Sequence, residues 1–145
     1  MLQTIYIFDN SKFKVYKRPI KKLVKFLSDE LNFQVLSLEI SFIDRKQMLE
    51  LNKKFFYHDY DTDIITLNYS EDIKSIDTEI FISYEMAIQN AKKFRVSTNS
   101  EIIRLIIHGI LHLTGYDDTT EEERKKMKRV ENRLTKKFSY LEIVK

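Results

Sequence analysis

The chain has 145 residues and a formal net charge of +3, from 25 Lys and Arg against 22 Asp and Glu. That length suits one domain over 1–145 with a core of its own, and 43% hydrophobic residues exclude intrinsic disorder. The absence of Cys excludes a disulfide framework, a thiolate zinc finger and a cysteine nucleophile, and no apolar run approaches the roughly eighteen residues of a membrane span. Met1-Leu2-Gln3-Thr4 has no basic character and precedes no uninterrupted apolar run, so a cytoplasmic protein without a signal peptide is expected.

Thr4 to Phe8, β-branched and aromatic, predicts a strand. Pro19 suits the first turn of a helix whose Ile20, Leu23, Val24, Leu27 and Leu31 make an apolar stripe. Phe33 to Ile43 alternates as a second strand, and Asp44 can cap a short helix carrying Met48, Leu49 and Leu51. Asp63 to Tyr69 and Glu79 to Ser83 predict two further strands. Tyr84 to Phe94 predicts a helix with Met86, Ala87, Ala91 and Phe94 on one side. Ser97 to Ser100 supplies a cap for Glu101 to Leu113, which is apolar almost all round and therefore buried. Thr120 with Glu123 forms a capping box for a last helix that turns Met127, Val130, Leu134, Phe138 and Leu141 inward. The order β-α-β-α-β-β-α-α-α predicts an α+β fold, a small mixed four-stranded sheet covered by about five helices.

The scarce residues cluster. The chain has two Gly and three His, and Gly109, Gly115, His108 and His112 all fall between His108 and Asp118. His108 and His112, four apart on the buried helix, put two imidazoles on one face, one turn apart, where both can ligate one metal ion. As ordinary core histidines they would need buried hydrogen-bond partners, which the flanking Ile and Leu residues cannot supply. Gly115 suits a left-handed C′ position that reverses the chain, so that a side chain after it can return to the same ion. Asp118 is the candidate third ligand; spacing alone does not separate it from Asp117. Three ligands with an open fourth position describe a catalytic zinc (Zn2+) site, although the same donors also accept nickel, iron or manganese.

The run His108-Gly109-Ile110-Leu111-His112-Leu113-Thr114-Gly115-Tyr116-Asp117-Asp118 resembles the signature of the YbeY family of metal-dependent endoribonucleases, HGxLHLxGYDH, with Asp118 in place of the family's third His. Asn52 and Thr62 to Thr66 resemble the family's Asn and TDVLS segment, Glu79 to Ser83 its GDIVIS segment without the Gly, and Met127 and Glu131 fit its C-terminal helix. Phe56 stands where the family usually has Arg; His58, Lys53 or Lys54 are the nearby replacements. The resemblance implies cleavage of single-stranded RNA in ribosomal RNA maturation, with metal held by His108, His112 and Asp118, and the small ribosomal subunit as a partner. Water activated at the metal would attack phosphorus, or would deprotonate the RNA 2′-OH for internal attack. The spacing also resembles zincin proteases, but Gly109 stands where their Glu general base belongs. The main alternative is a non-catalytic RNA- or ribosome-binding factor with a structural metal, and a metalloprotease is the minor one.

Asp59, Asp61 and Asp63 alternate like the start of an EF-hand loop, but Ile64 and Ser70 stand where that loop needs Gly and Glu, which excludes calcium binding. His58 to Glu79 has seven acids and one Lys. Arg18, Lys21, Lys22 and Lys25 make a basic stripe without an intervening acid, so Lys21, Lys22 and Lys25, with His58, are the candidate RNA contacts. The basic residues of the last helix are expected to be a solvated face.

Overall fold

Apolar alternation in the strands and apolar stripes on the helices leave each element one side to bury, and the chain resolves this around one sheet. The computed structural model describes residues 4–9 and 14–144. Its elements run β1 (Ile5–Asp9), α1 (Lys17–Leu31), β2 (Gln34–Ile43), α2 (Arg45–Phe56), β3 (Ile64–Asn68), β4 (Ser75–Ser83), α3 (Tyr84–Phe94), α4 (Thr98–Leu113) and α5 (Glu121–Phe138). This is the expected α+β order. Met1, Leu2 and Gln3, which carry the expectation of no signal peptide, lie outside the described residues.

The strand order is β1-β2-β4-β3. β1 and β4 flank β2 in parallel, and β3 pairs antiparallel to β4 through Ile64↔Ile82 and Thr66↔Ile80. One face of the sheet (Ile7, Leu38, Ile40, Phe42, Ile80 and Ile82) joins α1, α4 and α5 in the main core. The opposite face carries a smaller cluster of Ile43, Met48 and Ile65 under α2. α4 is the centre of the larger core: Ile102, Ile103, Ile106, Ile107 and Ile110 have no exposed surface.

The caps follow the sequence. Asp44 accepts from the Gln47 N–H at 2.8 Å while Gln47 returns a bond to the Asp44 N–H, and Ser97 and Thr120 accept from the N–H groups of Ser100 and Glu123.

Three details differ from expectation. β4 starts at Ser75, four residues before Glu79, because it lies between β2 and β3, and pairing with β2 begins at Gln34↔Ser75. α5 ends at Phe138, so Leu141 is buried from the turn beyond it rather than from the helix. Phe94, placed on one side of the helix with Met86, Ala87 and Ala91, is 55% exposed while Ala87 and Ala91 are buried, because it is the last residue of α3 and the chain turns there through Arg95 at φ +57°.

Candidate metal centre

α4 brings His108 and His112 to one face, with ring centroids 4.8 Å apart and ring planes at 80°. Gly109 allows the approach: a Cβ there would stand 3.2 Å from Ile64 Cδ1 and 3.4 Å from Thr66 Cγ2, so the helix lies close against β3. The histidine face lies outside this contact, and both imidazoles are about one-third exposed.

The helix stops in a Schellman turn. The Tyr116 N–H donates to Leu111 O and the Gly115 N–H to His112 O, with Gly115 at φ +103°. That reversal returns Asp118 to the helix end, where its Oδ2 lies 3.5 Å from His112 Nε2. Two ligands bound tetrahedrally to zinc at about 2.0–2.1 Å stand roughly 3.4 Å apart, so this separation suits two donors sharing an ion. The Asp117 carboxylate instead accepts the Asp118 N–H at 2.7 Å and is used within the turn. Arg124 donates to the carbonyls of Asp118 and Thr119 and pins the return segment to α5. Among the described residues, no group of three or more His, Asp or Glu side chains is gathered closely enough to hold a metal ion. Imidazole nitrogen and carboxylate oxygen are donor types that zinc accepts, and the His112–Asp118 spacing suits one pair of them.

His108 has a partner that the flanking residues could not provide. Glu131, from α5, accepts from its Nδ1 at 2.5 Å. Glu131 is buried and also accepts from Arg104 Nη1 at 3.2 Å, and Arg104 is held by Glu101 through bonds of 2.8 and 2.6 Å. Burial raises the Glu131 carboxyl, but the hydrogen bond and charge of His108 and the Arg104 guanidinium outweigh this and leave it below the ordinary carboxylate value. The Glu101 hydrogen bond, reinforced by both carboxylates, holds the Arg104 guanidinium above its ordinary range. With Glu131 ionised, Nδ1 carries the proton of this hydrogen bond, so that in the neutral ring the lone pair is on Nε2, the arrangement found behind metal-bound histidines. The signal in the sequence is a carboxylate at position 131, inside the inward stripe of Met127, Leu134 and Phe138, and two charges, Glu101 and Arg104, on an otherwise apolar helix.

A cavity of about 200 Å³ adjoins the site, lined by Arg104, His108, Asp118, Arg124, Met127, Lys128 and Glu131. His58 is elsewhere, on the loop after α2, stacked between Phe56 and Tyr60 and bonded through Nδ1 to the Tyr60 hydroxyl at 2.8 Å. Lys53 pairs with Asp59, and Lys54 lies over Phe55, so neither residue lines that cavity. Lys21, Lys22 and Lys25 are exposed on α1, where Lys22 Nζ lies over the Phe26 ring. The acids of the 59–63 loop each have a protein partner: Asp59 with Lys53, Asp61 with Arg45, and Asp63 with Asn90.

The family model for Endoribonuclease YbeY matches residues 6–139. An Endoribonuclease YbeY from Chlorobium limicola is 33% identical over 135 residues, covering 93% of this chain and 93% of that one. One from Chlorobium phaeovibrioides is 32% identical over 130 residues, 90% of this chain and 87% of the relative. One from Parabacteroides distasonis is 36% identical over 119 residues, 82% of this chain and 83% of the relative. Among solved structures, the solution structure of a Thermotoga maritima protein superposes with a TM-score of 0.67 at 22% identity, covering 93% of this chain and 89% of that chain, which supports the fold.

Proposed function

The chain belongs to the Endoribonuclease YbeY family, and from that premise we propose that it cleaves single-stranded RNA in ribosomal RNA maturation, using one divalent metal ion at His108, His112 and Asp118. The observation that carries the reading is the His108–His112 pair with Glu131 bonded behind one ring and Asp118 near the other. His108 and His112 would hold the ion through nitrogen and Asp118 through oxygen, and zinc suits that donor set. When bound, such an ion supplies an activated water and a Lewis-acid contact for a phosphoryl oxygen. Glu131 keeps the His108 proton on Nδ1 and fixes the ring, and the bond from His108, with Arg104 behind it, keeps Glu131 ionised. Arg124 and Lys128, at the cavity rim, can receive phosphate oxygens. Gly109 leaves the site without the carboxylate base of a zincin protease. Among the described residues no helix is long and apolar enough to cross a membrane.

The test is elemental analysis of the purified protein together with cleavage of a short single-stranded RNA, with and without chelator. One equivalent of bound metal and chelator-sensitive cleavage are expected. Cleavage indifferent to chelation refutes the metal mechanism. Phe56, in place of the family Arg, favours the second reading, a non-catalytic RNA-binding factor with a structural metal. His112→Ala separates the two: a folded, RNA-binding, inactive variant supports the enzyme, and an unfolded one supports the structural metal.

A further inference from the structure

A second cavity, about 450 Å³, lies along the seam of α4 and α5, with Arg104, Lys128, Asn132 and Lys136 along it and Phe94 and Val96 at one end. Arg104 and Lys128 also line the cavity beside His108 and Asp118. The two cavities therefore adjoin at Arg104 and Lys128, and taken together they make a trough that leads away from the candidate metal centre. Its charges are layered. Glu101 and Glu131 are on the floor, 1% and 2% exposed and held by Arg104, whereas the Lys128 side chain is 64% exposed. A strand entering from solvent meets the Lys128 and Lys136 cations before it meets the carboxylates. At the far end Phe94 is 55% and Val96 45% exposed, with Lys93 Nζ 5.6 Å from the Phe94 ring centroid. An exposed aromatic ring beside a cation suits a base with its phosphate. Thr135 also lines this cavity, and its buried hydroxyl has no hydrogen-bond partner among the described residues.

We propose that this seam is the track for the RNA strand on one side of the cleaved bond, with a base seated on Phe94 and Val96 and phosphates held by Lys128 and Lys136. The proposal rests on the RNA reading above and deepens it, because it assigns the strand a direction away from the metal centre. From His108 back to Ser100, α4 covers about 12 Å at 1.5 Å per residue. A stacked strand advances about 3.4 Å per nucleotide, so the trough holds roughly three nucleotides. It also moves the expected phosphate contacts from Lys21, Lys22 and Lys25 on α1 to the basic residues of α5.

The experiment uses fluorescence anisotropy with a labelled, 2′-O-methylated single-stranded RNA octamer, titrated at several salt concentrations. The probe cannot be cleaved through its 2′-oxygen, and binding is read in chelator, so the outcome does not depend on metal or on catalysis. Lys136→Gln should weaken binding and lower the magnitude of the salt slope by about 0.7, the share of one phosphate contact on a single strand. Phe94→Ala should weaken binding about tenfold and leave the slope unchanged, as expected for loss of one stacked base. Lys21→Gln should bind like the unaltered chain. Unchanged binding in Lys136→Gln and Phe94→Ala, or a reduced slope in Lys21→Gln alone, overturns the track. Failure of the unaltered chain to bind the octamer also overturns it and leaves a protein partner as the occupant of the seam. If the unaltered chain binds the octamer but cleaves no RNA, the nuclease reading fails and the track stands.

Discussion

Glu131→Gln separates positioning of His108 from simple support of the fold. In the folded chain Glu131 Oε1 accepts from His108 at 2.5 Å, and Oε2 accepts from Arg104 at 3.2 Å. Gln keeps the volume but only one acceptor, so one of the two donors then faces an amide NH2. Arg104 retains both bonds to Glu101, and the Gln oxygen is therefore expected to turn toward His108. The loss is one charge-assisted hydrogen bond in a buried setting, about 1.5–3 kcal/mol. For a chain of this length that lowers Tm by roughly 3–12 °C. The neutral amide also supports the His108 ring less strongly, and loss of such a partner weakens metal affinity by about 10–100-fold. Circular dichroism melts in chelator read the first effect, and zinc competition against a chromophoric chelator reads the second. A lower Tm with an unchanged zinc Kd refutes the positioning role and leaves Glu131 as a structural residue. Unchanged values of both refute the network altogether.

Gly115→Ala forces an L side chain into φ +103°, at a cost of about 1–3 kcal/mol, and should loosen zinc binding because that turn returns Asp118 to His112; urea unfolding and zinc competition on the same sample check both effects. Leu134→Ala removes a fully buried side chain where α5 meets the core and should lower stability by about 2–5 kcal/mol, read from the urea midpoint at constant m. The Glu131 carboxyl lies below its ordinary value when folded, so its contribution is complete above the unfolded value of about 4.3 and is lost as pH falls through the depressed folded value. Urea midpoints taken from about pH 6 to pH 3 should therefore fall more steeply for the unaltered chain than for Glu131→Gln, and parallel curves contradict the depressed carboxyl.

Local chemistry alone determined the element order of this protein, because its signals act within a turn or a strand. Asp44, Ser97 and Thr120 cap the helices they precede, the α4 stripe has no polar face wide enough to stay in water, and Gly115 takes the positive φ that ends the helix. The His108–His112 pairing was legible for the same reason, since four residues make one helical turn. Long-range placement decided the rest. Glu131 lies 23 residues beyond His108, and only the packing of α5 on α4 makes it the partner that the neighbours of His108 lack. The same packing separates Asp118, near His112, from Asp117, held within the turn, a distinction that spacing does not contain. It also gathers Arg104, Lys128 and Lys136 along one seam, although as a sequence pattern the basic residues of the last helix resemble any solvated face. Backbone propensity is local, whereas a buried charge finds its counter-charge only when two helices close on it.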